Sequence, residues 1–493
     1  MILKIDRDSP TPIYRQIIDE LKSLIDQGAI GINQSLPSTR KLAENLGVNR
    51  STVIRAYEEL QALGYLHSKP GSYNTVQRRR KEVEYNPERQ SLISWDQAST
   101  ASARELYKIF QRYSPESPIH SKLDRKAINI AQLDLDSRLY PMDEFRRCVN
   151  QVLLNFGSES LSYGCYKGYQ PLRESIAQRL RLHSISVSAE EILITNGAQQ
   201  AIDLIIRLLA DSDKAVAIEV PTYANIIPIL QFNGVKIRGI PMRKEGMDLN
   251  LLEKALDRDK VSFVYTIPNF QNPTGITTNH QHREKLLNIC LKYKAPIVED
   301  GFEEDMKYFG KVPLPIKSID DQNIVIYLGT FSKALFPGLR IGWVTADKEC
   351  INRLTSIKRF SDLTSGNLVQ MTMHEFLKNG YYDLQLKRLH RIFRKRMQLA
   401  LKTMENYFPS RVWWARPPGG YTIWVKIPKK LNEAQLHEFM TKYGVIVSPG
   451  SYYFPQKKYS DYFRISIANL NEEEIQEGLI RLGKALYRLA RRM

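Results

Sequence analysis

Cysteine is scarce in this chain, and its placement excludes more than its number does. Only four occur in 493 residues, Cys148, Cys165, Cys290 and Cys350, none at metal-ligand or redox spacing. That argues against a disulfide scaffold and against a bound metal, and it points to free thiols in a reducing cytoplasm. No apolar run approaches membrane-spanning length, and the start Met1-Ile2-Leu3-Lys4-Ile5-Asp6 is not that of a signal peptide. No membrane partner is expected. Internal repeats and low-complexity tracts are missing as well. Acids are outnumbered, 53 against 71 Lys and Arg, for a formal charge of +18. The first 76 residues do not account for this, because they hold nine bases against eight acids. Much of the excess lies in 387–396 and 481–492, both helical in pattern. Those faces either lie along a polyanion such as DNA or are simply solvated.

What is present is enough apolar sequence, 43% of residues, to bury one large core and a small one. In the small one, Ile13, Ile17, Leu21, Leu24 and Ile25 recur at helical spacing until Gly28. Ser38 can cap a short helix that stops at Leu46-Gly47-Val48, and Asn49 can cap a third, Arg50 to Leu63, with Val53, Tyr57, Leu60 and Leu63 on its inner side. Helix, short turn, helix, then two strand-like pieces, 65–68 and 73–76, describes a winged helix-turn-helix. Residues 36–43 (Leu-Pro-Ser-Thr-Arg-Lys-Leu-Ala) and 48–53 (Val-Asn-Arg-Ser-Thr-Val) resemble the patterns of GntR-type DNA-binding domains. The resemblance implies that Asn49, Arg50, Ser51 and Thr52 face phosphates and base edges in the major groove of an operator. Arg40 would stand alongside, and Gly71 at the wing tip.

The large region alternates apolar strand candidates, at 192–195, 215–219, 236–240, 261–267, 296–299, 324–328 and 341–345, with helical patterns such as Gln199–Leu209 and His280–Tyr293. Such alternation predicts an α/β fold with a mainly parallel sheet. One strand exit reads Gly329-Thr330-Phe331-Ser332-Lys333 and runs on to Arg340. An exposed loop lysine is ordinarily a solvated charge. Here Thr330, Ser332 and Arg340 add phosphate donors around an amine able to form a Schiff base, the equipment a pyridoxal-phosphate aldehyde needs. The turn Asn196-Gly197-Ala198-Gln199 opens a helix whose free N–H groups suit a phosphate.

From about Asn129 to Leu489 these segments resemble, in order, the class I aminotransferases of fold type I. The resemblance implies that Lys333 carries pyridoxal phosphate as an aldimine, with Gly197, Ala198, Gln199, Thr330, Ser332 and Arg340 around the phosphate. Tyr223 would stack on the ring and Asn272, in Asn272-Pro273-Thr274-Gly275, would bond its phenolic oxygen. Asp300 would pair with the ring nitrogen, and Arg464 would fork a substrate carboxylate. Tyr163 would reach a neighbouring subunit's cofactor, so a homodimer with shared sites is expected. Two positions depart from the family. Phe302 stands two residues after Asp300, where tyrosine is usual, and Gln132 or Leu133 stands where a glycine is usual and would crowd the pocket.

Taken together, the halves resemble the MocR subfamily of GntR regulators. The resemblance implies a winged domain over 1–76, a linker over 77–127 that is partly helical at 100–113, and an aminotransferase-like domain over 128–493. It implies a cytoplasmic transcriptional regulator that senses a small amine, an amino acid or pyridoxal phosphate itself, with weak or vestigial transaminase activity. A working aminotransferase carrying an accessory DNA-binding domain is the alternative, and a DNA-binding scaffold with a vestigial pocket is a third reading.

Overall fold

The computed structural model describes residues 3–68, 73–77, 91–113, 127–310, 313–456 and 459–491. The chain divides into two compact units, Met1–Ser94 and Trp95–Met493, a division that falls inside the 77–127 stretch read as a linker.

In the first unit, helices Ile13–Asp26, Thr39–Leu46 and Arg50–Ala62 close over Ile17, Leu21, Leu42, Val53, Tyr57 and Leu60, all buried. Ser38 Oγ accepts from Lys41 N–H at 3.3 Å, and Asn49 Oδ1 accepts from Ser51 N–H at 2.9 Å, so both caps form as their residue types favour. Gly47 ends the second helix in the left-handed region, φ 63°, where a side chain would be strained and would also meet Arg7. The hairpin pairs Leu66–His67 with Thr75–Val76 antiparallel. Gly71 lies outside the described residues. One expectation fails here. Leu63 is not on the inner side but 42% exposed, because the third helix stops at Ala62 and the chain turns, leaving Tyr65 to fill the buried place.

The second unit is built on an eight-stranded sheet in the order 192–195, 342–345, 325–330, 297–300, 261–266, 215–220, 236–243, 246–247. Its five central strands, from 325–330 to 236–243, run parallel to one another. Helices cover both faces, which is why Ala215–Val220 and Ile297–Asp300 are buried almost without alternation. Polar exceptions gather at the strands' carboxyl ends: Thr195, Glu219, Thr266, Glu299, Asp300 and Thr330. In open parallel sheets that edge is where ligands bind. A four-stranded antiparallel sheet follows, in which Tyr459–Ser466 presents Arg464. Helix Ala101–Tyr113 appears as expected. Along helix Tyr381–Tyr407, Leu389, Phe393 and Met397 turn inward while Lys387, Arg388, Arg391, Arg394 and Lys395 are exposed. Among the described residues no helix is long and apolar enough to cross a membrane.

Candidate functional site

At the carboxyl edge of the large sheet, strand Val325–Thr330 ends and Lys333 follows three residues later. Lys333 lines a cavity of about 120 Å³ together with Leu133, Ala198, Gln199, Tyr223, Asn272, Asp300, Phe302, Thr330, Ser332 and Arg340. Nine residues read from separate sequence segments as cofactor ligands thus share one pocket. Lys333 Nζ donates to the carbonyl of Leu133 at 3.3 Å. Burial lowers the pKa of this amine, assisted by Arg464 and Arg340 and opposed by Asp134 and Glu303. A lysine biased toward its neutral form is the form that attacks an aldehyde.

Asp300 is 4% exposed and receives two hydrogen bonds, from Tyr265 OH to Oδ2 at 2.6 Å and from Phe302 N–H to Oδ1 at 3.1 Å. Burial nevertheless pushes its pKa up to about 6. A buried carboxyl in that condition gains from a cationic partner, which a protonated ring nitrogen supplies. Tyr223 OH donates to Gln199 Oε1 at 2.9 Å, which fixes the ring over the pocket wall.

The turn that opens helix Ala198–Leu209 is stapled from behind. Gln200 Oε1 accepts from Asn196 N–H at 2.8 Å, while Asp362 Oδ2 accepts from Asn196 Nδ2 at 2.6 Å and from Gln200 Nε2 at 2.7 Å. Lys358, only 1% exposed, neutralises Asp362 across 2.9 Å. In front, Arg340 Nη2 donates to Asn196 O at 3.1 Å. Gly197 adopts φ 80°, and a Cβ there would stand 2.5 Å from Arg340 Nη2. The glycine therefore lets the guanidinium and the helix's free N–H groups converge, a cradle for a phosphate dianion. Thr330 Oγ1 and Ser332 Oγ lie 3.0 Å apart on the same rim.

Arg464 is held by Asn272 Oδ1 at 3.1 Å and by the Ala131 carbonyl at 2.6 Å, with its Nε buried and without a partner among the described residues. The guanidinium thus retains donor capacity for a carboxylate. Tyr163 stands apart from this pocket and is 84% exposed. Of the two residues expected to crowd the cleft, Leu133 lines it, whereas Gln132 is exposed with its amide on Asp134 at 3.3 Å. Phe302 lines the pocket too and brings no hydroxyl.

On the winged unit, Arg40, Asn49, Arg50 and Ser51 are exposed and Thr52 partly so. Among the described residues Arg40 makes an ion pair with Glu44 at 3.5 Å and no other, and Arg50 Nε donates to Thr39 Oγ1 at 3.4 Å. Both contacts are long and solvated, so phosphates can replace them at little cost. Asn49 is less free, since its Oδ1 also accepts from Ser51 Oγ at 2.9 Å and serves as the helix cap.

Two family models match the chain: bacterial regulatory proteins of the gntR family over residues 13–76, and aminotransferase class I and II over residues 128–482. The chain is 32% identical over 482 residues to YdfD of Bacillus subtilis, an uncharacterized HTH-type transcriptional regulator, covering 98% of each chain. This chain belongs to the gntR-family regulators that carry a class I and II aminotransferase domain. The second domain is shared with enzymes. The 2-aminoadipate transaminase of Thermus thermophilus is 36% identical over 352 residues, which are 71% of this chain and 87% of that one. The crystal structure of LysN from the same organism, an α-aminoadipate aminotransferase complexed with N-(5'-phosphopyridoxyl)-L-leucine, superposes with a TM-score of 0.74 at 31% identity. It covers 81% of this chain and 100% of that one. The cofactor of this regulator is accordingly pyridoxal phosphate, and the Gly197 cradle, the Asp300 carboxyl and the Lys333 amine fit it.

Sequence reading missed the regulator's supporting residues. Tyr265 fixes Asp300 from 35 residues away, Asp362 holds Asn196 and Gln200 of the phosphate turn from 166 and 162 residues away, and Lys358 steadies Asp362 from four residues before it. Tyr265 carried one signal, a phenol in the buried stretch Phe263–Thr266. The other two carried none, since a helix with lysine and aspartate four apart is ordinary.

Proposed function

We propose that residues 1–76 bind an operator through Arg40, Asn49, Arg50, Ser51, Thr52 and Gly71, and that residues 77–127 link them to a sensing domain over 128–493 in a cytoplasmic homodimer. The sensing domain takes a small primary amine that also bears a carboxylate. The observation that carries this is the shared pocket of Lys333, Asp300, Tyr223 and Arg340, with Arg464 beside it through Asn272. Bound pyridoxal phosphate supplies an aldehyde that an incoming amine can take over from Lys333.

This chain's residues do the rest. Gly197, Ala198, Thr330, Ser332 and Arg340 grip the phosphate, Asp300 keeps the ring nitrogen protonated, and Arg464 fixes the effector's carboxylate. Phe302 leaves the phenolic oxygen without a tyrosine donor, and Leu133 narrows the cleft above Lys333. Both favour binding over rapid turnover. The exposure of Tyr163 supports a dimer in which it serves a second subunit's pocket. A ligand shifts operator affinity only if it binds two arrangements of the protein unequally. Displacing Lys333 and engaging Arg464 gives it that means.

Titrating the pyridoxal-phosphate-loaded protein with a panel of amines and amino acids, read by absorbance and operator binding together, tests the proposal. One amino acid should change both, with a several-fold shift in operator affinity. Turnover of tens per second with an ordinary amino acid, and no effect on the operator, would instead establish a working aminotransferase.

A further inference from the structure

Behind Lys333, away from the cofactor pocket, lies a second cavity of about 20 Å³, room for about one water. Lys333, Phe302 and Thr330 line both cavities and so form the wall between them. The second one is also lined by Glu303, a carboxyl that none of the roles above employs. Glu303 is 1% exposed. Its Oε2 accepts from the Tyr421 N–H at 3.2 Å, and its Oε1 has no partner among the described residues. Tyr421 also reaches the lysine, donating from its hydroxyl to the Lys333 carbonyl at 2.6 Å. Gly420 is required beside it, because a Cβ there would collide with Glu303 Oε2.

An unpartnered carboxylate oxygen is costly in such a place, and a protonated one is not. Burial pushes the Glu303 pKa up to about 8, against the opposing pull of Lys333, the Tyr421 N–H and Arg464, with Asp300 adding to the rise. The charged groups around Lys333 are Asp134, Glu303, Arg464, Arg340 and Asp300. Of the three acids among them, Asp134 is exposed and both oxygens of buried Asp300 are bonded, whereas Glu303 is buried with Oε1 unpartnered among the described residues.

We propose that Glu303 is a positioning residue that acts as the proton partner of Lys333, holding the lysine once an amine has taken its place on the cofactor. In that step the Glu303 O–H bond breaks and an N–H bond forms on the neutral Lys333 amine. The products are a carboxylate and an ammonium that attract each other across the rear cavity, and no other bond changes. The ion pair keeps the lysine from returning, so Glu303 sets how strongly an amine effector is retained. This rests on the cofactor role proposed for Lys333.

The test uses the full-length apo protein, with Lys333 carbamylation by cyanate followed by mass spectrometry across a pH series. Removing an acid beside an amine lowers the amine's pKa, so Glu303→Gln should move the labelling midpoint down by about one pH unit or more, and Glu303→Asp should restore part of it. A midpoint unchanged or raised in Glu303→Gln overturns the inference. Wild-type protein alone can also overturn it, should Lys333 label in a single step near the ordinary lysine value of about 10.4 rather than as one member of a coupled pair. Borohydride reduction of the loaded protein separates the two ideas. A label on a different lysine refutes the cofactor role of Lys333, whereas a label on Lys333 with no response to Glu303→Gln refutes only the partnership.

Discussion

The two units hold their functional residues in opposite ways. In the winged unit, Arg40 and Arg50 lie exposed, each with one long polar contact, 3.5 Å and 3.4 Å. In the large unit, Asp300, Asn272 and Arg464 are buried and each is bonded by other side chains or backbone. The difference follows from the ligand. DNA brings its own rigid array of charge and needs side chains that can be desolvated at the moment of contact. A small cofactor must find its charges already fixed, because it has too few atoms to organise them. Substitutions should therefore be severe and structural in the large unit, and mild and confined to DNA in the winged unit.

The largest expected effect is at Lys333. Lys333→Ala should lose the cofactor's characteristic visible band and the borohydride-fixed label entirely, with operator binding by the cofactor-free protein intact. Retention of a fixed label in that variant would move the anchor elsewhere. Next comes Asp362→Ala, which leaves Lys358 buried without its ion-pair partner. Breaking a buried pair in this way costs about 3 kcal/mol, so thermal unfolding should shift down measurably. Cofactor retention should fall with it, because the turn at Asn196 loses its staple. Asp362→Asn, which keeps one acceptor, should recover part of the retention. If the alanine variant binds cofactor normally, the turn is held by Gln200 and Arg340 alone.

The comparison also has a pH signature. Burial lifts Glu219 and Glu299 to about 7 and Asp300 to about 6 in the folded apo protein. Between roughly pH 4.5 and 7 the native state keeps protons that the unfolded chain has released, so stability falls as pH rises through that window. Asp305, held below the ordinary carboxylate range despite burial by His183 and Arg179, acts in the opposite sense but only at lower pH. Apo protein should thus be more stable at about pH 5 than at about pH 7.5, by roughly 2–6 kcal/mol, and Glu219→Gln should flatten part of the slope. A melting temperature that climbs across the window would show these acids ionised in the native state.

Smaller again is Arg50→Ala. Losing one DNA-contacting arginine costs about 1–3 kcal/mol of operator affinity and lowers its salt dependence. The cofactor absorbance should not change. Unaltered operator binding would remove residues 49–52 from the recognition surface.

What the sequence disclosed follows the same division. The seven strand positions of the large sheet and the three helices of the winged unit were legible because apolar periodicity and caps are local, as Ser38, Asn49 and Gly47 show. Lys333, Asp300 and Asn272 were legible because each sits in a short motif at a strand end. Glu303, Tyr265, Asp362 and Lys358 were not. The first three act through contacts between distant segments and Lys358 through Asp362 four residues on, and nothing in their immediate neighbours marks them. Leu63 was misplaced for a related reason: periodicity continues past Ala62, but the backbone does not.

Phe302 gives the smallest effect and the most pointed comparison with the enzymes that share this fold. The residue lines the cofactor pocket beside Asp300, and its own N–H bonds Asp300 Oδ1 at 3.1 Å. Its ring can thus be altered without disturbing the backbone contact. Phe302→Tyr adds one hydroxyl able to donate to the cofactor's phenolic oxygen, a bond worth about 0.5–1.5 kcal/mol net. A donor there favours the ionised oxygen. The pH midpoint at which the bound cofactor's visible absorbance changes should therefore fall, by about one unit at most. Turnover, where any is detectable, should rise with it, while Lys333→Ala abolishes both. A midpoint that stays put would mean that the hydroxyl does not reach the cofactor, and the narrowing at Leu133 would then be left as the feature that separates this regulator from its enzyme relatives.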